Sequence, residues 1–543
     1  MGNTPTVALE MTALFALAEK TWRFSLHCCF TLLCLRFLGA AWREVGPNAW
    51  PMAVLVFGAF ALGAWNSKPA LAAFTFATPL LTGLSSTGLE AGGPGLVFPA
   101  LWLGFALHSF RLQGAPSDIL NGGGRRSQLA LVAVDILITA LLLSLGREIL
   151  QRHSTQGFWP VFFRRTSTSY SDPFYFLTSA FVWLQGFFYF RALCANAPWF
   201  AGATAASINK STPHVLASRS SRRHNGFYAW IRPMFLCAAV TLVVFAFIQF
   251  KFKVPEGWTT GLQSPYEDIF SYGGVAVSVF VFFTAIQARR RWTTQIVQIL
   301  CSFALLILVI TSWSRGVWLA AAIFLFVIAW FRLPRWSTMV LLGVAGLSVA
   351  FINANAQKPL WQKQEYLARL VSLVRVEKLS EKSAGRFDLY HRALGMIHER
   401  PLLGHGIGSF YMTSPHYTRP GDSYRDSDFA HNAFLQLAAE QGVLVAGLFA
   451  ALVGWAVWRG LRVWLARRGS QQAADFEEDL TPSERLTLLG TTLALGVYVQ
   501  TNLTSNSLNI HASNQFFFWF LMAALLSKTP PDTDGRIRPI PSV

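Results

Sequence analysis

Long apolar stretches dominate this sequence and decide which kinds of fold are open to it. Segments 129–145, 227–250, 296–310 and 317–331 approach or reach the length that a helix needs to cross a bilayer, roughly 20 residues. Only 13% of the 543 residues are charged, whereas a soluble protein carries about 25%. These features exclude a soluble enzyme and predict a polytopic membrane protein.

The charge balance is strongly basic, with 45 Lys and Arg against 27 Asp and Glu and a net charge of +18. Such an excess usually indicates nucleic acid or an anionic surface as the partner. Because the apolar stretches indicate membrane insertion, we expect no nucleic-acid partner and assign most of the basic residues to membrane topology. Membrane lipids are the expected surroundings.

Hydropathy predicts fourteen spans, although the stretch 70–87 contains Pro79 and Gly83 and could be re-entrant instead. The Lys and Arg residues of the short loops concentrate on one side of this threading, so the positive-inside rule predicts that both termini are cytoplasmic. The predicted spans are 23–42, 50–66, 70–87, 96–112, 128–146, 173–192, 227–250, 268–288, 294–312, 315–331, 337–353, 432–458, 485–503 and 513–527.

One long loop of 77 residues, 354–430, interrupts this pattern on the outer side of the membrane. Long structured loops in compact proteins are more often functional than decorative, so we expect the site here. The predicted organisation is therefore a first set of eleven helices in 1–353, this loop in 354–430, C-terminal helices in 431–527 and a disordered cytoplasmic tail in 528–543.

The loop ends on a sequence that predicts a helix start. Asp428 is a good N-cap, which would place His431 in the first helical turn. The positive end of the helix dipole would keep the imidazole neutral and able to accept a proton, and it would attract an anion such as phosphate. A polar residue that merely lies at the membrane interface is the alternative interpretation of His431.

A second polar island, 311–316, separates two apolar runs on the same face of the membrane as the loop. Its Arg315 is costly between spans unless it is paired or faces water, so it is a functional candidate; a snorkelling side chain is the alternative. The nearby Asp388, Asp422, Asp426 and Asp428 fit no standard metal motif, and we expect neither a metal nor a cofactor.

Three islands in this order resemble the O-antigen ligase and O-antigen polymerase family. They are Ser314-Arg315-Gly316 at a helix start, Gly385-Arg386 before a helix, and the segment from Arg400-Pro401-Leu402-Leu403-Gly404 to His431-Asn432 and Glu440-Gln441-Gly442. The resemblance implies an all-α, GT-C-like polytopic integral membrane protein with about 12–14 transmembrane helices and one large helical periplasmic loop. The ligases of this family have about twelve spans, so the predicted fourteen is a departure from them. The difference bears on the subfamily to which the chain would belong more than on its chemistry.

The resemblance also implies a chemistry. It predicts a metal-independent, inverting glycosyltransferase at the periplasmic face of the bacterial inner membrane, which uses a glycan carried on undecaprenyl pyrophosphate. Arg315 and Arg386 would hold the pyrophosphate and His431 would activate the acceptor hydroxyl, with His405, Asn432 and Asp428 as possible supporting residues.

The acceptor is left open by the sequence. A lipid A–core glycolipid would make the protein an O-antigen ligase, another lipid-linked glycan would make it an O-antigen or exopolysaccharide polymerase, and a protein acceptor would make it an O-oligosaccharyltransferase. A lipid-linked oligosaccharide flippase or other transporter is a more distant alternative, which many spans and intramembrane arginines would suit.

Overall fold

A computed structural model describes a large part of the chain. Every regular element within that part is helical, and three of its helices are long and apolar enough to cross a membrane. The protein is therefore an all-α membrane protein, as predicted. The described residues are 4–44, 50–84, 93–111, 125–156, 174–208, 231, 233–240, 296, 299–300, 302, 318–323, 326, 335–358, 371, 386–422, 429–466, 482–503, 508 and 512–527.

Most predicted spans that fall within these residues correspond to one helix each. The described helices, numbered in chain order, are α1 Thr4–Glu44, α2 Trp50–Trp65, α3 Ser67–Leu84, α4 Gly93–Arg111, α5 Arg125–Gln156, α6 Tyr175–Ile208, α7 Arg335–Asn355, α8 Arg386–Glu399, α9 Phe410–Thr413, α10 Ala433–Gln441, α11 Val443–Ala466, α12 Pro482–Asn502 and α13 Ala512–Leu526. The stretch that could have been re-entrant is the continuous helix α3. The predicted span 268–288 lies outside the described residues, and the total of fourteen stays a prediction.

One predicted span is wrong. The apolar run 432–458 is two helices, α10 and α11, separated at Gly442, whose φ is +86°. A Cβ at this position would overlap the carbonyl oxygen of Leu402, so only glycine allows the loop to approach so closely. The membrane-crossing part is Val443–Arg462, and α10 is a separate short helix that precedes it.

Buried aromatic side chains on α6 form the centre of the helix bundle. Phe188 stacks on Phe30 of α1 at 4.1 Å between ring centroids, and Phe187 meets Trp519 of α13 edge-on at 5.1 Å. Gly186 allows the second contact, because a Cβ there would lie 2.5 Å from the Trp519 ring. This packing fixes α6, whose first turn lies against Gly408.

Candidate functional site

His431 lies immediately before α10 in a backbone conformation that is rare for a residue with a side chain. Its φ is +49°, the only positive value of a non-glycine residue in the described part of the chain. Strained backbone of this kind is maintained only where its surroundings determine it, and it concentrates at functional sites. The conformation thus supports the choice of His431 from the sequence.

The N-cap of α10 is Asn432 and not Asp428. The Asn432 side-chain oxygen accepts hydrogen bonds from the backbone N–H groups of Phe434 at 3.1 Å and Leu435 at 3.0 Å. The prediction that Asp428 caps the helix and that His431 lies in its first turn was therefore wrong, because an equally good cap occurs four residues later. Asp428 itself lies outside the described residues.

Burial and a neighbouring positive charge keep the His431 imidazole neutral near pH 7. Burial lowers its pKa to about 4, and the positive charge of Arg386 contributes to the shift. The ring also packs against Phe429, edge to face, with centroids 6.0 Å apart. Desolvation and a neighbouring guanidinium therefore both favour the neutral imidazole.

Arg386 is the first residue of α8, and Tyr390 lies one turn further along the same helix. The Tyr390 hydroxyl lies 3.5 Å from the His431 carbonyl oxygen and 3.2 Å from that of Leu503, and donates towards both. Tyr390 thus connects the helix of Arg386 to the backbone of His431 and to the end of α12. Sequence reasoning gave Tyr390 no role, although its i,i+4 spacing from Arg386 was a usable signal.

The alternate glycines Gly404, Gly406 and Gly408 form a tight turn, with φ of +59°, +112° and +69°. Each of the three glycines lies close against a neighbouring helix. A Cβ on Gly404 would overlap the Glu440 backbone in α10, and one on Gly406 would overlap the Glu148 carboxylate of α5. At Gly408 a Cβ would lie 2.8 Å from the Cα of Phe176, which belongs to the first turn of α6.

Glu440 is the buried anchor of this glycine segment. Its carboxylate accepts hydrogen bonds from the Gly408 N–H at 2.8 Å, the Phe410 N–H at 3.3 Å and the Gln436 side-chain amide at 2.9 Å. Burial raises its pKa to about 7. The sequence showed Glu440 only as part of the family pattern, and its structural role depends on backbone donors that a sequence does not reveal.

His405 is not brought together with His431. Its ring Nε2 lies 3.1 Å from the Met396 carbonyl oxygen and 3.5 Å from the Tyr417 hydroxyl. Met396 follows Arg386 by ten residues in α8, which corresponds to about 15 Å along a helix. The structure therefore places His405 at the far end of α8, where burial lowers its pKa, and it assigns Asn432 to capping.

Arg315 lies outside the described residues, so its place beside Arg386 stays a prediction. The acidic residues give no sign of a metal site in the described ranges, where no group of three or more His, Cys, Asp or Glu side chains is arranged to hold an ion. Asp422 is committed to another partner, because it accepts a hydrogen bond from the fully buried Arg392 at 3.2 Å.

The comparison with protein families agrees with the resemblance seen in the sequence. The family model described as O-antigen ligase matches residues 300–450, a range of 151 residues in a chain of 543 that includes Arg315, Arg386 and His431. No curated protein matches the chain. The match confirms the resemblance to the O-antigen ligase and polymerase family and supports an O-antigen ligase-like function in the broad sense.

Proposed function

We propose that this chain transfers a glycan from undecaprenyl pyrophosphate to a lipid A–core acceptor at the periplasmic face of the bacterial inner membrane. The observation that carries the proposal is the pairing of His431, a neutral and strained histidine, with the charge of Arg386 inside the matched range. A neutral imidazole can accept a proton, and a guanidinium binds phosphate oxygens bidentately.

The reaction is a single displacement at the anomeric carbon. The acceptor hydroxyl oxygen forms a bond to that carbon while the bond to the pyrophosphate oxygen breaks, and His431 accepts the hydroxyl proton. Undecaprenyl pyrophosphate leaves with the electron pair of the broken bond, and Arg386 and Arg315 stabilise its growing negative charge. Attack from the face opposite the leaving group inverts the anomeric configuration, and no metal takes part.

Donor binding would also prepare the base. A pKa of about 4 makes His431 a weak proton acceptor, and the Arg386 charge is one cause of that low value. A pyrophosphate on Arg386 introduces negative charge beside the imidazole and therefore raises its pKa. The base would strengthen only when the donor is in place, so proton abstraction is coupled to the presence of a leaving group.

The contacts of α5 support a periplasmic orientation of the site. The Arg147 guanidinium lies 3.5 Å from the Gly404 carbonyl oxygen, and the neighbouring Glu148 carboxylate contacts Gly406. The end of α5 therefore lies on the same side of the membrane as the glycine segment. With both termini in the cytoplasm, as the positive-inside rule predicts, that side is the periplasm.

The test is transfer by the purified protein in liposomes that contain an undecaprenyl-pyrophosphoryl glycan. We expect His431→Ala to abolish transfer while donor binding is retained, whereas Arg386→Ala weakens donor binding. His405→Ala is the matched control, since this histidine lies away from the pair, and it should keep both. An active His431→Ala protein would remove the base from the mechanism.

The same assay identifies the acceptor. Lipid A–core glycolipid, a second lipid-linked glycan and an acceptor protein are supplied separately, because ligase, polymerase and protein glycosylation share the donor chemistry. Product on lipid A–core is the expected outcome. Movement of the donor across the bilayer without any new glycosidic bond would refute the enzyme assignment and favour a flippase.

A further inference from the structure

Two adjacent leucines are exposed at the corner between α8 and the glycine segment. Leu402 is 59% exposed and Leu403 is 72% exposed. The corner is well ordered by hydrogen bonds, since the Gly404 N–H donates to the Arg400 carbonyl at 3.1 Å and the Arg400 N–H donates to the Met396 carbonyl at 3.1 Å. A fixed turn thus holds two large apolar side chains outward from the described part of the chain.

The corner lies directly against the beginning of a membrane-crossing helix. The Val443 N–H donates to the Pro401 carbonyl at 2.8 Å, and Gly442 lies so close to the Leu402 carbonyl that a Cβ would overlap it. Val443 is the first residue of the span Val443–Arg462. The leucine pair is therefore level with the first turn of that span, at the boundary between hydrocarbon and headgroups on the side of the candidate site.

The exposed leucines continue an exposed apolar stripe on α11. Val443 and Leu444 are 40% and 66% exposed, and Trp458 is 57% exposed at the other end of the span. Between them the exposed positions Gly447, Ala451 and Gly454 recur at three- and four-residue intervals, as expected for one helix face. In a membrane protein such a face meets lipid acyl chains, and Leu402 and Leu403 extend it beyond the helix start.

Charged residues flank the pair on the side away from the span. Glu399 and Arg400 are both about half exposed and lie 3.6 Å apart at the end of α8. An arginine beside apolar residues at this level can place its guanidinium among lipid phosphates while the leucines enter the acyl region. Along the chain the charged pair comes first, then Pro401 and then the two leucines. Polarity therefore falls in the same order as it does from the headgroups to the hydrocarbon of a bilayer.

We propose that Leu402 and Leu403 form a membrane anchor that inserts into the phospholipid leaflet on the side of the candidate site. The anchor fixes the depth of the glycine segment and of α8, the helix that carries Arg386. The bilayer itself covers the two leucines, because their surface is continuous with the lipid-facing stripe of α11.

The test measures the surroundings of single spin labels in liposomes of phosphatidylethanolamine and phosphatidylglycerol, without any glycan donor. The six native cysteines are replaced by alanine, and labels are attached at Leu403→Cys, at Leu444→Cys as the lipid-facing reference, and at Thr418→Cys as the water-facing control. Thr418 is exposed in the same loop. The measured quantity is relaxation of each label by oxygen, which concentrates in lipid, against relaxation by a water-soluble nickel complex.

We expect the oxygen-to-nickel ratio at position 403 to resemble that at 444 and to exceed that at 418 several-fold. A ratio at 403 equal to that at 418 would overturn the proposal. Spin–spin broadening at 403 that disappears on dilution with unlabelled protein would also overturn it, in favour of a second copy of the chain. Because transfer activity is never measured, failure of the anchor and failure of the proposed glycosyltransferase are distinguishable.

Discussion

At the scale of single residues, the pKa of His431 reports how strongly Arg386 acts on it. Removing the positive charge with Arg386→Gln should raise the pKa above its value of about 4, because the imidazolium then has no adjacent cation. Burial is the larger cause of the shift and is unchanged, so the pKa should stay below the ordinary 6.5. NMR titration of the isotopically labelled imidazole measures the pKa and tests both the lower and the upper bound.

Arg400→Gln is the control for that titration. Arg400 is exposed and pairs with Glu399 at the opposite end of α8, so the His431 pKa should not change. An unchanged pKa in Arg386→Gln would show that the two side chains are electrostatically independent. It would also remove the argument that donor binding strengthens the base.

Tyr390 should act as a positioning residue for His431. Tyr390→Phe removes the hydroxyl shared by the His431 and Leu503 carbonyl oxygens, and one such hydrogen bond contributes about 0.5–1.5 kcal/mol. We expect kcat to fall between about twofold and tenfold while the donor KM is unchanged, because Arg386 still binds the donor. Tyr417→Phe, whose hydroxyl bonds to Glu399, should leave kcat unaltered.

An increase in the donor KM with kcat preserved would contradict this role.

At this scale the sequence reveals some site residues and not others. His431 and Arg386 stand out because their residue types carry a recognisable chemistry. Tyr390 and Glu440 act through backbone groups more than 30 residues away, and such contacts are defined only by the fold.

At the scale of elements, the glycine segment is the part most sensitive to added volume. Gly404→Ala would place a Cβ against the backbone of Glu440, which cannot move without displacing α10, and both residues are buried. We expect a loss of stability of about 2 kcal/mol or more, beyond the roughly 1 kcal/mol that a left-handed conformation costs alanine. Thermal unfolding in detergent measures the loss.

Gly421→Ala separates backbone strain from steric overlap. Gly421 has a φ of +94°, but a Cβ there meets no atom of the described residues within 4 Å. Gly421→Ala should therefore lower the stability only by the cost of placing alanine in a left-handed conformation. Equal destabilisation by the two variants would show that Gly404 is needed for its backbone conformation alone and not for contact with α10.

Helices that follow hydropathy were predicted, and the break between α10 and α11 was missed. The run 432–458 is mostly apolar, and its polar interruption Glu440-Gln441-Gly442 was interpreted only as part of the family pattern, although a glycine there is also a helix-end signal. Gly442 breaks the helix because the Pro401–Leu402 backbone packs against it. This contact is made in the folded chain, and the same holds for the contact between the Gly404 turn and α10.

At the scale of the whole molecule, one buried ionic cluster connects three helices. Asp135 of α5 pairs with Arg191 of α6 and with Arg23 of α1, the latter at 3.3 Å, and Arg23 also pairs with Glu19 at 2.5 Å. The Arg191 side chain is fully buried, and its Nε and Nη2 have no hydrogen-bond partner within the described residues. Hydropathy treats each span separately and could not predict a pair 56 residues apart.

Removing one partner of this cluster should be far more harmful than removing both. Asp135→Leu leaves the Arg191 charge buried without its counter-ion, which costs about 3–5 kcal/mol, whereas Asp135→Leu with Arg191→Met removes the charge as well and recovers most of that loss. Arg23 retains Glu19 in both variants. Thermal unfolding in detergent measures the stabilities, and Arg191→Met alone completes the double-mutant cycle.

The consequence should extend to the site, because α5 also carries Arg147 and Glu148 to the glycine segment. We expect glycan transfer to fall with stability in Asp135→Leu and to return in the double variant, even though the cluster lies about 18 Å along α5 from Arg147. Strictly additive single-variant effects would show that the pair does not interact. Restored stability without restored transfer would instead assign the cluster a role in the reaction itself.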